Sequence, residues 1–266
     1  MILWWCKCDC NLQSPIPVLS INWARRLLYY VKFKFIHCAS VDRLVAGTVV
    51  QFAEAVKLLG VTLDNMLSFN QHVSNVIRSC TFHSRALRHI RPLMTVKLAK
   101  LIAASIVSAR LDYCNSLLYG SEAQNIDRLQ RVQNTLARIV LQKPFSASAT
   151  ELRRELHWLP IRQRIEYKLA AITFKTKPSG LPGYLYDRLH DYQPSRTLRS
   201  STACQLQRPP LTTSFADRSF AVAAPTVEFQ PVTVWNSPSL STRSANTFGT
   251  FKSRLKTELF MSAYTT

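Results

Sequence analysis

A long basic stretch without acidic residues is the part of this sequence best suited to bind an anion. The 47 residues between Asp64 and Asp112 contain no Asp or Glu. Cationic side chains on one helix face can follow a phosphate backbone, and an aromatic ring among them can stack on a base. We therefore expect RNA and/or DNA as the partner. The alternative is an ordinary solvated face, although such faces normally mix charges of both signs. The candidate nucleic-acid-binding residues are Arg78, Phe82, Arg85, Arg88, His89, Arg91, Lys97 and Lys100.

The overall charge agrees with a polyanionic partner. The chain has 266 residues, with 34 Lys and Arg against 15 Asp and Glu, which gives a formal net charge of +19 and a pI near 10.1. Such a balance favours nucleic acid or an anionic membrane surface. No apolar run reaches the roughly 18 residues of a membrane span, so no membrane is expected.

Catalytic patterns are absent from the sequence. It contains no G-x-x-x-x-G-K-[ST], G-x-G-x-x-G, G-x-S-x-G or H-E-x-x-H pattern. No two Asp residues are adjacent, whereas a two-metal phosphoryl-transfer site needs clustered carboxylates. We therefore expect no catalytic residue, no metal site, no cofactor and no small-molecule substrate. Asp64 is expected to be a turn residue and Asp112 a helix residue.

The cysteines indicate an intracellular protein with reduced thiols, in the nucleus or the cytoplasm. Their number, 7, is odd, and a disulfide framework is unusual in so long a chain. Cys6, Cys8 and Cys10 lack the C-x₂₋₄-C spacing of a zinc site, so we interpret them as an incidental tract rather than structural zinc. The apolar start of the chain ends at Cys6, which is too early for a signal peptide.

The basic residues must be positioned by a helix that begins near Asn70. This helix is expected to end at Arg91-Pro92, because the residue before a proline is disfavoured in the α region. Its apolar residues fall on one side at 100° per residue, and Arg78, Arg85, Arg88 and His89 lie opposite them with Phe82. The apolar stripe consists of Val73, Val76, Ile77, Cys80, Leu87 and Ile90.

The remaining pattern predicts a mainly α fold. It is a helical bundle with a small β-hairpin near residues 45–64 and an irregular C-terminal region that ends in a helix. Further helices are expected to begin at Thr95, Ser121, Ser148, Pro160 and Asn246. The predicted segments are an irregular 1–43, a hairpin-and-helix region 44–143, a helical extension 144–190 and a Ser/Pro/Arg-rich region 191–266.

Seven short segments form a recognisable series along the chain. They are Val56–Asp64 (VKLLGVTLD), Leu67–Val73 (LSFNQHV), Arg85–Pro92 (RALRHIRP), Arg110–Gly120 (RLDYCNSLLYG), Leu129–Asn134 (LQRVQN), His157–Pro160 (HWLP) and Phe220–Pro225 (FAVAAP). In this order they resemble the C-terminal part of reverse transcriptases from LINE-like, non-LTR retrotransposons of the Jockey and chicken-repeat type. The resemblance covers about residues 44 to 260.

The resemblance implies the rear part of a polymerase. Residues 56–64 would be the last hairpin of the palm, with Leu59, Gly60 and Val61 near the primer end. Residues 70–143 would be thumb helices that hold the template–primer duplex. The family's Tyr-x-Asp-Asp signature, which lies upstream of the Leu-Gly-Val segment, does not occur in this sequence. Mg²⁺ is therefore expected only for an intact polymerase of the family.

We accordingly expect a truncated RNA-directed DNA polymerase fragment that lacks the catalytic Asp residues and keeps a nucleic-acid-binding surface. Two alternatives stay open: a co-opted, non-catalytic nucleic-acid-binding module, and a non-functional translation product. Residues 1–43 match nothing in the family, and residues 228–234 interrupt its pattern like an insertion.

Overall fold

A computed structural model describes the chain at residues 43–45, 48–50, 54–193, 205–210, 218–225 and 234–265. The expectations for residues 1–42, which include Cys6, Cys8 and Cys10, and for residues 228–233 lie outside these described residues. The chain divides into two units, residues 1–72 and residues 73–266.

The described residues of the first unit form two antiparallel strand pairs. The strands are β1 (Arg43–Val45), β2 (Thr48–Val50), β3 (Ala55–Leu58) and β4 (Val61–Asp64), and they pair β1 with β2 and β3 with β4. The turn Leu59-Gly60 joins β3 to β4 with φ angles of +47° and +84°. Two-residue hairpin loops favour positive φ at both positions, and Gly adopts it without steric cost. The hairpin predicted around Gly60 is confirmed.

Asp64 organises the turn that follows β4. Its carboxylate accepts hydrogen bonds from the backbone N–H groups of Ser68, at 2.7 Å, and Phe69, at 2.8 Å. These groups lie just before a helix, where backbone N–H groups have no helical partner. Asp64 is the last residue of β4 rather than the turn residue that the sequence predicts, and its carboxylate organises the turn that follows.

Helices make up most of the described part of the second unit, which confirms the mainly α fold. The helix α1 begins in the first unit at Asn70. The bounds are α1 (Asn70–Ile90), α2 (Val96–Ile102), α3 (Ala109–Asp112), α4 (Ala123–Leu141), α5 (Ala149–Glu155), α6 (Ile161–Ser179), α7 (Gly183–Tyr186), α8 (Phe220–Ala223), α9 (Leu240–Arg243) and α10 (Phe248–Tyr264), with 3₁₀ turns at Arg91–Leu93 and Asn115–Leu118 and a π-helical segment at Ala103–Ser108.

Several helix ends follow their predicted signals. The α1 helix ends one residue before Arg91-Pro92. The Leu98 backbone N–H donates to Thr95 Oγ1 at 3.3 Å, so Thr95 caps α2 as expected. The C-terminal helix α10 begins directly after Thr247, whose hydroxyl accepts from the Thr250 N–H at 3.1 Å.

Other helix starts differ from the prediction. Ser121 does not cap α4, because its hydroxyl donates to the Leu118 carbonyl at 2.7 Å and the helix begins at Ala123. The helix expected after Thr95 is also not continuous. It passes from α2 through the π-helical segment into α3, and the chain then turns left-handed at Cys114, with φ of +56°.

The core of the second unit lies around α6. The rings of Phe174 on α6 and Phe251 on α10 stack with centroids 4.2 Å apart, and Trp235 lies 6.1 Å from Phe251. Arg164 on α6 donates to both carboxylate oxygens of Asp112, at 3.0 and 2.9 Å. Asp112 is thus a helix residue, as expected, with an ion-pair partner that the sequence did not identify.

A polar contact joins α4 to the start of α6. Pro160 precedes α6 and offers no side-chain cap. The Ile161 backbone N–H instead donates to Gln130 Oε1 on α4 at 2.9 Å. Gln133 Nε2, also on α4, donates to the Leu159 carbonyl at 2.8 Å. These bonds fix one side of α4 against the loop before α6. The opposite side of α4 can therefore pack beside another helix.

Candidate nucleic-acid interface

The helix α1 presents three kinds of surface. Val73, Cys80 and Leu87 are buried, in agreement with the predicted apolar stripe. At about 100° per residue, Arg78, Phe82 and His89 lie about 140–180° away from Val73, and all three are exposed. Arg85 and Arg88 lie between these two sides, about 120° and 60° from Val73. The prediction placed all of these basic residues opposite the stripe, whereas Arg88 in fact borders it.

Ile90 also departs from the predicted stripe. It is 45% exposed, because it is the last residue of α1 and lies beyond the packed part of the helix. Leu87 is the last buried residue of the helix, at 3% exposed, and Ser84, one turn earlier, is also buried at 4%.

A groove of about 470 Å³ runs between α1 and α4. Both helices contribute arginines to it: Arg85 and Arg88 from α1, and Arg128 and Arg131 from α4. Its remaining lining is apolar or hydroxylic and consists of Ile77, Thr81, Ser84, Val132, Thr135 and Ile139. A concavity of this volume falls in the size range of small-ligand sites. We call these ten residues the α1–α4 groove.

Arg128 is held in place by neutral oxygen atoms. One guanidinium nitrogen donates to Ser74 Oγ on α1 at 2.8 Å, and another donates to Asn125 Oδ1 at 3.3 Å. These contacts orient the side chain and link α4 to α1 without supplying negative charge. Within the described residues, no ion pair involves Arg128 or any of the other three groove arginines. The groove therefore keeps its positive charge.

A buried hydroxyl group also lines the groove. Ser84 Oγ has no hydrogen-bond partner among the described residues. A polar group buried without a partner costs free energy, so such groups are uncommon in folded proteins. An oxygen-bearing ligand in the groove would provide the missing acceptor.

The two predicted lysines lie outside the groove. Lys97 is exposed and Lys100 is half-buried, both on α2. Neither is among the residues that line the groove. Together with Arg78, Phe82 and His89 they belong to a wider basic surface of the unit.

Arg91 does not lie on that surface. It is 4% exposed, and its guanidinium donates from Nε to the Val140 carbonyl at 2.8 Å and from Nη1 to the Met94 carbonyl at 2.7 Å. These bonds satisfy backbone groups beyond the end of α1 and near the end of α4. Arg91 thus has a structural position, and we leave it out of the binding surface.

The turn residues predicted to lie near a primer belong to the first unit. Leu59 is 53% exposed, Gly60 is exposed, and Val61 is fully buried at the start of β4. Leu59 and Gly60 are thus the solvent-facing members of this group, while Val61 anchors the hairpin.

Arg128 and Arg131 are not among the binding residues that the sequence predicts. Both lie outside the acid-free stretch that drew attention to α1, and Asp127 directly precedes the first of them. A signal was nevertheless present, because residues three apart on a helix share a face. Arg128, Arg131 and Thr135 form such a row on α4.

Neither a metal site nor a membrane-spanning helix is found in the described part of the chain. No group of three or more His, Cys, Asp or Glu side chains there could hold a metal ion. None of its helices is long and apolar enough to cross a membrane.

Comparison with known proteins gives one informative match. The chain is similar to a probable RNA-directed DNA polymerase from transposon BS of Drosophila melanogaster, with 25% identity over 122 residues. The chain is similar in part to a reverse transcriptase. The similarity covers 45% of this chain and 14% of the fly protein. No family profile matches the chain, and no solved structure matches it.

The match supports a reverse-transcriptase-like relationship over part of this chain. Since the chain spans only about one seventh of the fly protein's length, polymerase activity does not follow from this similarity alone. The functional conclusion must rest on the surface that α1 and α4 present.

Proposed function

We propose that this chain is a nucleic-acid-binding part of a LINE-like, non-LTR retrotransposon reverse transcriptase, with α1 and α4 in the position of thumb helices. It binds RNA and/or DNA through sequence-independent contacts with phosphate groups. The similarity to a transposon RNA-directed DNA polymerase supports the relationship. The exposed basic face of α1, a helix that contains no acid, carries the binding proposal.

The charge distribution favours a polyanion over a small acidic ligand. Arg78 extends the positive surface along α1 away from the groove, His89 is exposed on the same side, and Phe82, which is 69% exposed, adds a ring that can stack on a base. No acid occurs in α1. A duplex carries charge along its whole length and can contact the groove and the outer face of α1 together.

The proposal assigns no catalytic step to these 266 residues. They contain no Tyr-x-Asp-Asp and no pair of adjacent Asp residues, and two-metal phosphoryl transfer requires clustered carboxylates. We therefore propose that the chain itself needs neither a metal nor a small-molecule substrate, and that Mg²⁺ belongs only to an intact polymerase.

Charge reversal on α1 tests the proposal. Affinity for an RNA–DNA hybrid duplex is measured by fluorescence anisotropy over a series of salt concentrations. About three phosphate contacts give a slope of log K against log salt near −2.7, at about −0.9 per contact. Changing Arg78, Arg85 and Arg88 to Glu should weaken binding to all sequences and flatten this slope, while the helical circular-dichroism signal stays the same.

A matched variant controls for net charge. Arg154, Arg188 and Lys256 are exposed and lie on other parts of the second unit. Their change to Glu alters the net charge by the same amount. The proposal predicts a much smaller loss of duplex affinity for this control. Equal losses of affinity in the two variants would show that only the net charge attracts the duplex.

A further inference from the structure

The α1–α4 groove brings together positively charged residues from two helices. Arg85 and Arg88 are three residues apart on α1, and Arg128 and Arg131 are three apart on α4. Residues at this spacing have Cβ atoms about 5–6 Å apart on the same helix face. Two such pairs face one concavity of about 470 Å³. Four arginines from two helices therefore line a single concavity.

Nothing that lines this groove offsets the charge. The groove residues include no acid, and the acid nearest in sequence, Asp127, is exposed and does not line it. Arg128 is oriented by Ser74 and Asn125, whose side chains are neutral. Like charges held together in this way repel one another unless an anion binds between them. A guanidinium group suits phosphate, because its planar fork can donate two parallel hydrogen bonds to it.

Ser84 is a second feature of the groove, as one of several residues with a buried side-chain atom that lacks a hydrogen-bond partner among the described residues. Its hydroxyl is buried in the wall of the groove and lacks a partner in the described part of the chain. Replacing such a hydroxyl by hydrogen normally costs little stability, since no hydrogen bond is lost. The group therefore contributes nothing that we can identify to folding, and its residue lines the same groove as the four arginines.

We propose that the α1–α4 groove is a phosphate-binding site that holds one phosphate group of a nucleic-acid backbone. Arg85, Arg88, Arg128 and Arg131 supply the charge, and Ser84 donates its hydroxyl proton to a phosphate oxygen. This inference rests on the proposed nucleic-acid binding and locates it at one site. It adds Ser84, Arg128 and Arg131 to the residues responsible.

Three variants test the groove separately from the outer face of α1. Ser84→Ala removes the hydroxyl, Arg131→Gln removes an exposed charge, and the double change of Arg128 and Arg131 to Gln removes both α4 charges. Arg154→Gln is the matched control, because Arg154 is exposed on α5 and its ion pair with Glu151 is long, at 4.0 Å. Thermal melting of each variant confirms that it is folded before binding is compared.

Two probes distinguish a backbone phosphate from free phosphate. The first is the RNA–DNA hybrid duplex over a salt series. The second is inorganic phosphate, added as a competitor and compared with chloride at equal ionic strength. A phosphate site predicts that phosphate displaces the duplex more effectively than chloride, and that this difference disappears in the double variant.

The expected effects are specific. The double variant should bind the duplex at least about tenfold more weakly at low salt, with a slope smaller in magnitude by about 0.9, because the groove holds one phosphate group. Ser84→Ala should melt at the same temperature or higher, yet bind about threefold or more weakly. Since Arg131 and Ser84 make no described side-chain hydrogen bond, these two variants keep the test valid even if loss of Arg128 disturbs the fold.

The opposite results are equally clear. If wild-type protein binds the duplex but all groove variants behave like Arg154→Gln, the groove site is wrong and the proposed function stands. If phosphate competes through the groove but no duplex binds, the phosphate site stands and the proposed function fails. If neither probe binds, both are overturned.

Discussion

The helix pairs α6–α10 and α1–α4 belong to the same unit but differ in what lies between them. Between α6 and α10, the rings of Phe174 and Phe251 stack with centroids 4.2 Å apart. Between α1 and α4, a groove of about 470 Å³ remains, with arginines along both sides. The pair α6–α10 is held together by aromatic side chains. The pair α1–α4 has arginines without carboxylate partners and a Ser84 hydroxyl without a hydrogen-bond partner among the described residues.

Arginine has a different role in each region. Arg164 on α6 is 13% exposed and pairs with Asp112, so its charge is satisfied within the chain. Arg128 on α4 is positioned only by neutral oxygen atoms. Residue type alone therefore does not identify a binding residue. What distinguishes a structural arginine from a binding one is whether the fold supplies a carboxylate or a buried carbonyl for it.

The largest expected effect on stability is that of Phe251→Ala. Phe251 is fully buried, and truncation of such a side chain leaves a cavity that costs about 3–5 kcal/mol. Urea unfolding monitored by circular dichroism measures the loss. Phe82→Ala is the control on α1, since Phe82 is 69% exposed, and it should change stability by less than about 0.5 kcal/mol. Similar losses at the two sites would contradict the distinction between the packed and the open pair.

Asp112→Asn should have an intermediate effect. It leaves the largely buried Arg164 guanidinium without its carboxylate, although half of the Asp112 side chain is exposed and solvent screens part of the charge. We expect a loss of about 1–2 kcal/mol in the free energy of unfolding. Glu151→Gln breaks an exposed ion pair with Arg154 at 4.0 Å and should cost less than about 0.5 kcal/mol. If Asp112→Asn is as mild as this control, the pair does not stabilise the α6 region.

The sequence predicted the local elements well wherever a single residue determines them. Pro92 ends α1, Thr95 caps α2, and Gly60 takes the second position of the hairpin turn. Each of these effects depends on backbone geometry within a few residues, which a sequence shows directly. Ser121 was mistaken for a cap, because a hydroxyl can donate to a preceding carbonyl as readily as it accepts from a following N–H.

The burial of Arg91 could have been predicted from the helical periodicity. At about 100° per residue it lies on the same side as Val73, in line with the buried stripe. Its charge led us to group it with the exposed arginines instead. The buried carbonyl that it binds, on Val140, is 49 residues away in the sequence, so its partner could not have been predicted.

The groove itself could not be predicted from one helix at a time. Arg85 and Arg128 are separated by more than 40 residues, and only the packing of α1 beside α4 places them around the same space. The acid-free stretch that contains α1 ends at Asp112, so it does not reach the arginines of α4. The missing hydrogen bond of Ser84 also depends on tertiary packing and has no signature in the sequence.

The most direct test of the central claim is to map the nucleic-acid contact on the protein. Backbone amide chemical shifts of the isotope-labelled chain are recorded while an RNA–DNA hybrid duplex is added at moderate salt. The largest changes should occur at residues 81–88 of α1 and 128–135 of α4, with little change in α10. Changes that are spread evenly over the basic surface, or that are largest around Lys252 and Lys256 on α10, would contradict a binding site in the α1–α4 groove.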